Sequence, residues 1–176
     1  ITFGKTYEGR PLITAVITHP NNNESLESNR RNHLITSGLM EGVKTENPLS
    51  VVWLSYSVHG NEASSMEAAL KTLHTFADTT NAEQMKWLEN VVLIIDPCIN
   101  PDGRDRYANF HRMTGNLVPD VDSKTRGHRE PWPGGRTNHY YHDLNRDWSW
   151  QTQKETQHRI KLYKKWMPHV HVDYHE

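Results

Sequence analysis

His59 and Glu62 stand three residues apart where an apolar run ends and a helical pattern begins. An imidazole and a carboxylate at that spacing, on or just before a helix's first turn, can converge on one ion. Gly60 between them permits a tight turn. In open α/β sheets ligands sit beyond the carboxyl ends of the strands, which is where this pair falls. Spacing alone is weak evidence, because many such pairs simply face solvent. A catalytic zinc takes three protein ligands and leaves a fourth position open for water, so a third donor is needed. His169, His171 and His175 alternate along the last residues and share one face of a strand. His175 is nearest the carboxyl end, on the edge where His59 lies if the strands are parallel. His169 and His171 lie deeper, where structural roles are expected.

Two further clusters carry polar chemistry. In Asp143-Leu144-Asn145-Arg146 the adjacent amide and guanidinium are donors suited to a carboxylate. An isolated Asn-Arg pair is more often a surface turn with a salt bridge. Asn100-Pro101-Asp102-Gly103 reads by itself only as a tight turn.

The elements that must position these groups follow from periodicity. Leu12 to Thr18 and Val51 to Ser57, the latter opened by Asn47-Pro48, read as strands. Residues 19–29 are turn formers and read as a loop. Glu62 to Ala77 reads as a helix burying Met66, Ala69, Leu70, Leu73 and Phe76/Ala77. A short helix over Ala82–Leu88 precedes Val91–Ile95, whose unbroken apolar run suits a strand covered on both faces. Asp96 to about Arg146 reads as one long, functional or disordered loop. Gln151 to Trp166 reads as a helix with Ile160, Tyr163 and Trp166 inward, stopped by Pro168, and His169 to His175 as a half-buried strand. Alternating strands and helices predict an α/β fold: a mixed, mostly parallel sheet with helices on both faces.

Composition narrows the classes. With 20 basic and 21 acidic residues among 176, the total charge carries no nucleic-acid or membrane-surface signature. No apolar run approaches the roughly 18–20 residues of a membrane span. One cysteine, Cys98, excludes an internal disulfide, whereas twelve histidines favour a metal site. The chain opens on Ile1-Thr2-Phe3-Gly4 and stops at His175-Glu176, from which a piece of a longer domain, truncated at both ends, is expected.

In order along the chain come Gly4-Lys5-Thr6-Tyr7-Glu8-Gly9-Arg10-Pro11-Leu12, the His59/Glu62 pair, Asn100-Pro101-Asp102-Gly103, Asp143-Leu144-Asn145-Arg146 and His175. The set resembles the zinc carboxypeptidase family, the group that includes carboxypeptidase A, over nearly the whole chain. The resemblance implies residues 1–176 as part of a single catalytic domain that holds Zn2+ through His59, Glu62 and His175. The His2Glu ligand set is the one quoted generally for carboxypeptidase A. It further implies that Asn145 and Arg146 hold the free C-terminal carboxylate of a peptide substrate, and that Asp143 accepts a hydrogen bond from His59. An arginine after the Asn-Pro-Asp-Gly turn would polarise the scissile carbonyl, with Arg112 the candidate by spacing and Arg106 behind it. The general-base glutamate is expected beyond Glu176; strand alternation points Glu176 itself away from His175. Hydrolysis of C-terminal residues is the activity implied, in a secreted or periplasmic setting, with peptidoglycan peptide trimming a related one. Two alternatives stand beside it: an aspartoacylase/succinylglutamate desuccinylase-like deacylase, whose motifs are similar, and an inactive zinc-containing module that binds carboxylates.

Overall fold

Two adjacent strands of apolar, β-branched residues, Ser50–Tyr56 and Val91–Asp96, form the centre of the main sheet. The computed structural model describes residues 1–45 and 49–176; Asn47-Pro48, read as opening the second strand, lies outside them. In chain order the strands are β1 (Thr2–Lys5), β2 (Pro11–Ile13), β3 (Ala15–Ile17), β4 (Ser50–Tyr56), β5 (Val91–Asp96) and β6 (Val170–Tyr174). The helices are α1 (Leu26–Thr36), α2 (Ala63–Ala77), α3 (Ala82–Leu88), α4 (Pro101–Thr114) and α5 (Lys154–Trp166). Strands β3-β5-β4-β6 make a four-stranded sheet in which β3 runs antiparallel to β5 while β5, β4 and β6 are parallel. β1 and β2 form a separate antiparallel hairpin. This is the mixed, mostly parallel α/β sheet expected.

Alternation sends the side chains of β4 and β5 to two cores. On one face Val51, Trp53, Val92 and Ile94 pack with Leu162 and Trp166 of α5. On the other, Tyr56, Leu93 and Ile95 pack with Ala69 of α2 and Leu88 of α3. The helices therefore cover both faces. Among the described residues no helix is long and apolar enough to cross a membrane.

Several local expectations are corrected. Leu12 to Thr18 is two strands, because Thr14 donates its hydroxyl to the Ile95 carbonyl at 2.8 Å where the chain changes pairing partner from β1 to β5. Part of the 19–29 loop, from Leu26 on, belongs to α1, whose buried side chains are largely polar: Arg30, Asn32, His33 and Leu34. Arg30 and His33 bond the Lys165 and Met167 carbonyls at the end of α5, a polar contact that apolar periodicity does not register. The Asn-Pro-Asp-Gly segment is the N-terminus of α4 rather than a free turn. Asn100 caps it by accepting from the Gly103 amide at 3.0 Å, and Pro101 occupies the first turn, where a missing N–H is harmless. Leu70 is 51% exposed on α2. The inward side of α5 carries Glu155, Thr156 and Arg159 as well as Leu162 and Trp166, with Ile160 and Tyr163 only half-buried.

Asp96, at the end of β5, is fully buried, and neither carboxyl oxygen has a hydrogen-bond partner among the described residues. Burial pushes its pKa up to about 7, against the lowering effect of the Arg159 charge. The folded chain therefore holds this proton to higher pH than the unfolded chain, whose aspartate titrates near about 4. Between those values the native state binds more protons, so this group's contribution to stability falls as pH rises. Asp96→Asn should accordingly gain stability relative to the parent from about pH 4 to about pH 7. Urea unfolding of both across that interval checks it; a constant difference would contradict it.

Candidate metal centre

Three chain segments meet at the carboxyl end of the sheet because glycine lets them touch. A Cβ placed on Gly60 would lie 2.1 Å from the Arg104 nitrogen, 2.2 Å from the Gly103 carbonyl carbon and 2.7 Å from the Gly135 oxygen. The His59-Gly60-Asn61-Glu62 turn thus lies directly against the first turn of α4 and the loop around Gly135. Beneath it, Val58, Ile99 and Leu144 form a small buried cluster. Each of these apolar residues sits immediately beside a polar motif, before His59, before Asn100, and between Asp143 and Asn145. Asn100 joins two of the segments: it caps α4 and donates Nδ2 to the Arg136 carbonyl at 3.2 Å. Glu130 accepts from the Asn61 side chain at 2.9 Å and from the Gly135 amide.

On this frame the donor atoms of His59, Glu62 and His175 lie within 4.8 Å of one another. His59 Nδ1 is 2.7 Å from Glu62 Oε1, and His175 Nδ1 is 3.2 Å from Glu62 Oε2. The opposite nitrogen of each ring faces a carboxylate: His59 Nε2 is 3.0 Å from Asp143 Oδ1, and His175 Nε2 is 3.1 Å from Asp173 Oδ2. Both imidazoles can therefore keep a proton on Nε2 and turn a lone pair on Nδ1 toward Glu62. Glu62 Oε2 is buried with no hydrogen bond among the described residues, an orphaned acceptor in a site made of two imidazoles and a carboxylate. A divalent ion is what such a donor set fits: zinc takes nitrogen and carboxylate oxygen at about 2.0–2.2 Å. His59 is buried, whereas the His175 side chain retains 32% exposure, so the site opens to solvent on one side.

Asp143 does more than face His59. It accepts the Asn145 amide at 2.9 Å and pairs with Arg136 NH2 at 2.9 Å. Burial alone would raise its carboxyl; the hydrogen bonds from His59 and the Asn145 amide, with the nearby charges of His59 and Arg136, outweigh this and hold it below the usual range. Asn145 is half-buried, and Arg146 is exposed with no acidic partner among the described residues. Arg112 is exposed on the last turn of α4 and borders a groove with Ser64 and Glu67. Arg106 is engaged elsewhere, donating to the carbonyls of Gly134, Thr137 and Asn138. The arginine brought to the candidate ligands is Arg136, whose NH1 is 3.5 Å from His59 Nδ1. Sequence reasoning missed it: spacing from the Asn-Pro-Asp-Gly segment gives no hint of it, and the only signal is the Gly134-Gly135 pair that lets its loop approach. Glu176 Oε1 accepts from the Ser64 and Ser65 amides, capping the first turn of α2.

The model of the zinc carboxypeptidase family matches residues 1–169. No curated protein matches the chain. Among solved structures, a metallo-carboxypeptidase from Burkholderia cenocepacia superposes with a TM-score of 0.60 at 19% identity, over 99% of this chain and 35% of that one. Carboxypeptidase A from Helicoverpa armigera gives 0.56 at 15% identity, over 100% of this chain and 40% of that one. A metallo-carboxypeptidase from Pseudomonas aeruginosa, solved in complex with (2-guanidinoethylmercapto)succinic acid, gives 0.57 at 18% identity, over 98% and 33%. At these identities the likeness is one of fold, and the chain spans between a third and two fifths of the length of these structures.

Proposed function

Since this chain belongs to the zinc carboxypeptidase family, we propose that it supplies the metal centre and the carboxylate anchor of a metallocarboxypeptidase that removes C-terminal residues from peptides. The observation that carries this reading is the convergence of His59, Glu62 and His175, with the exposed Arg146 in the segment that also holds Asp143. Zinc, when bound, supplies Lewis acidity toward a water and the peptide carbonyl. The remaining work belongs to side chains. Asp143 fixes the His59 ring so that Nδ1 points at the metal position. Asn145 and Arg146 receive the terminal carboxylate, which restricts cleavage to the last residue. Arg136 places a positive charge beside His59, where it can balance negative charge growing on the carbonyl oxygen. Glu176 does not serve as the general base in this reading, since its Oε1 accepts from the first turn of α2. The family match does not favour the deacylase or inactive-module readings.

Arg146→Ala tests the anchor. Binding of a blocked dipeptide with a free C-terminal carboxylate should weaken by about tenfold to a hundredfold, the worth of hydrogen bonds to a charged group, with zinc affinity unchanged. Titration of peptide and of zinc into parent and variant measures both. A parallel loss of the two would make Arg146 a structural residue.

A further inference from the structure

The parallel register of β5, β4 and β6 places three polar residues side by side at the carboxyl end of the sheet. Ser55 of β4 is the register partner of Asp96 on β5 and of Asp173 on β6. All three share the face covered by α5, where Arg159 is buried and its charge acts on both Asp96 and Asp173. A sheet face at this depth would ordinarily be apolar, as it is one step earlier at Trp53 and Ile94. The polar row sits directly beneath the residue that leaves β6 for the metal position.

The hydrogen bonds along this row have one consistent direction. Ser55 Oγ lies 2.7 Å from His171 Nε2 and donates to Asp173 Oδ1 at 3.0 Å. A hydroxyl has one proton to give, so His171 is the donor to Ser55 and Ser55 the donor to Asp173. Asp173 is left with Oδ2 for His175 Nε2, 3.1 Å away. The proton on that nitrogen leaves Nδ1 free to face Glu62, as Asp143 does for His59 on the other side.

We propose that Asp173, held in place by Ser55, is the positioning carboxylate of His175, tying this exposed ligand to the sheet. His59 is gripped by a buried turn, whereas His175 lies beyond the end of an edge strand and depends on this bond for its ring orientation. The proposal rests on the metal reading of the site. Removing such a partner weakens metal binding by about tenfold to a hundredfold in comparable sites.

The test is the zinc dissociation constant, measured by chelator competition on the intact chain for the parent, Asp173→Ala, Asp173→Asn and Ser55→Ala. Asp173→Ala should raise it by about tenfold to a hundredfold, with Asp173→Asn recovering part because its amide oxygen still accepts from His175. The visible spectrum of bound Co2+ should change in Asp173→Ala, because the His175 ring is no longer fixed. Ser55→Ala, which leaves Asp173 in place, should show a smaller loss and keeps the proposal testable if Asp173→Ala fails to fold. Zinc affinity equal to the parent in every folded variant would overturn the role of Asp173 alone. Failure of the parent to bind zinc would overturn the metal centre, and this role with it.

Discussion

Gly60→Ala is expected to destabilise the chain by more than about 3 kcal/mol, beyond the usual range for adding one methyl group. An added Cβ would meet backbone, not flexible side chains: the Arg104 nitrogen at 2.1 Å and the Gly103 carbonyl carbon at 2.2 Å. Those atoms belong to the first turn of α4, which cannot retreat cheaply because Asn100 caps it and Asp102 is buried under Thr6 and Arg10. The Gly135 oxygen at 2.7 Å closes the third side. Chemical unfolding of parent and variant measures the loss, and a change below about 1 kcal/mol would show that the three segments are not in contact as described. Metal affinity should fall with stability, because the same movement displaces His59 from Glu62.

Arg159→Leu should cost about 3–5 kcal/mol, the usual effect of removing one partner from a buried charge cluster. Arg159 is 1% exposed, with its guanidinium 3.9 Å above the Trp148 ring and none of its nitrogens hydrogen-bonded among the described residues. Its favourable interactions are that stacking and the charges of Asp96, Asp173 and Asp147. Leucine would fill much of the volume but leave the buried Asp96 without its cation. Asp96→Asn should therefore be more favourable in the Arg159→Leu background than in the parent, a coupling readable from a double-mutant cycle. The same effect of Asp96→Asn in both backgrounds would mean that the two groups do not interact.

The same pair marks where sequence reading stops. The strands β4 and β5 and the helices α2, α3 and α5 were legible because their apolar residues follow the period of the element. α1 was not, since its inward side is polar and bonds to carbonyls at the far end of α5. α4 was hidden by Pro101 and Gly103, which read as turn formers although one starts the helix and the other is required by contact with Gly135. In the candidate site, His59 and Glu62 are near in sequence, and the alternation of the last residues places His175 on the same edge as His59 because β4 and β6 are parallel. Arg136 was missed because it reaches His59 through the packing of separate segments, at no spacing that a motif would reveal. Asp173 stands only two residues before His175, but an aspartate at the end of an alternating strand reads equally well as a solvent-facing polar residue.

In the proposed metal centre His59, Glu62 and His175 together hold one zinc ion. Elemental analysis of the chain after zinc loading and gel filtration, with His175→Ala treated identically, tests it most directly. About one zinc per chain in the parent and near none in the variant is the result predicted for a three-ligand site. No zinc retained by the parent, or the same amount retained without His175, would contradict it.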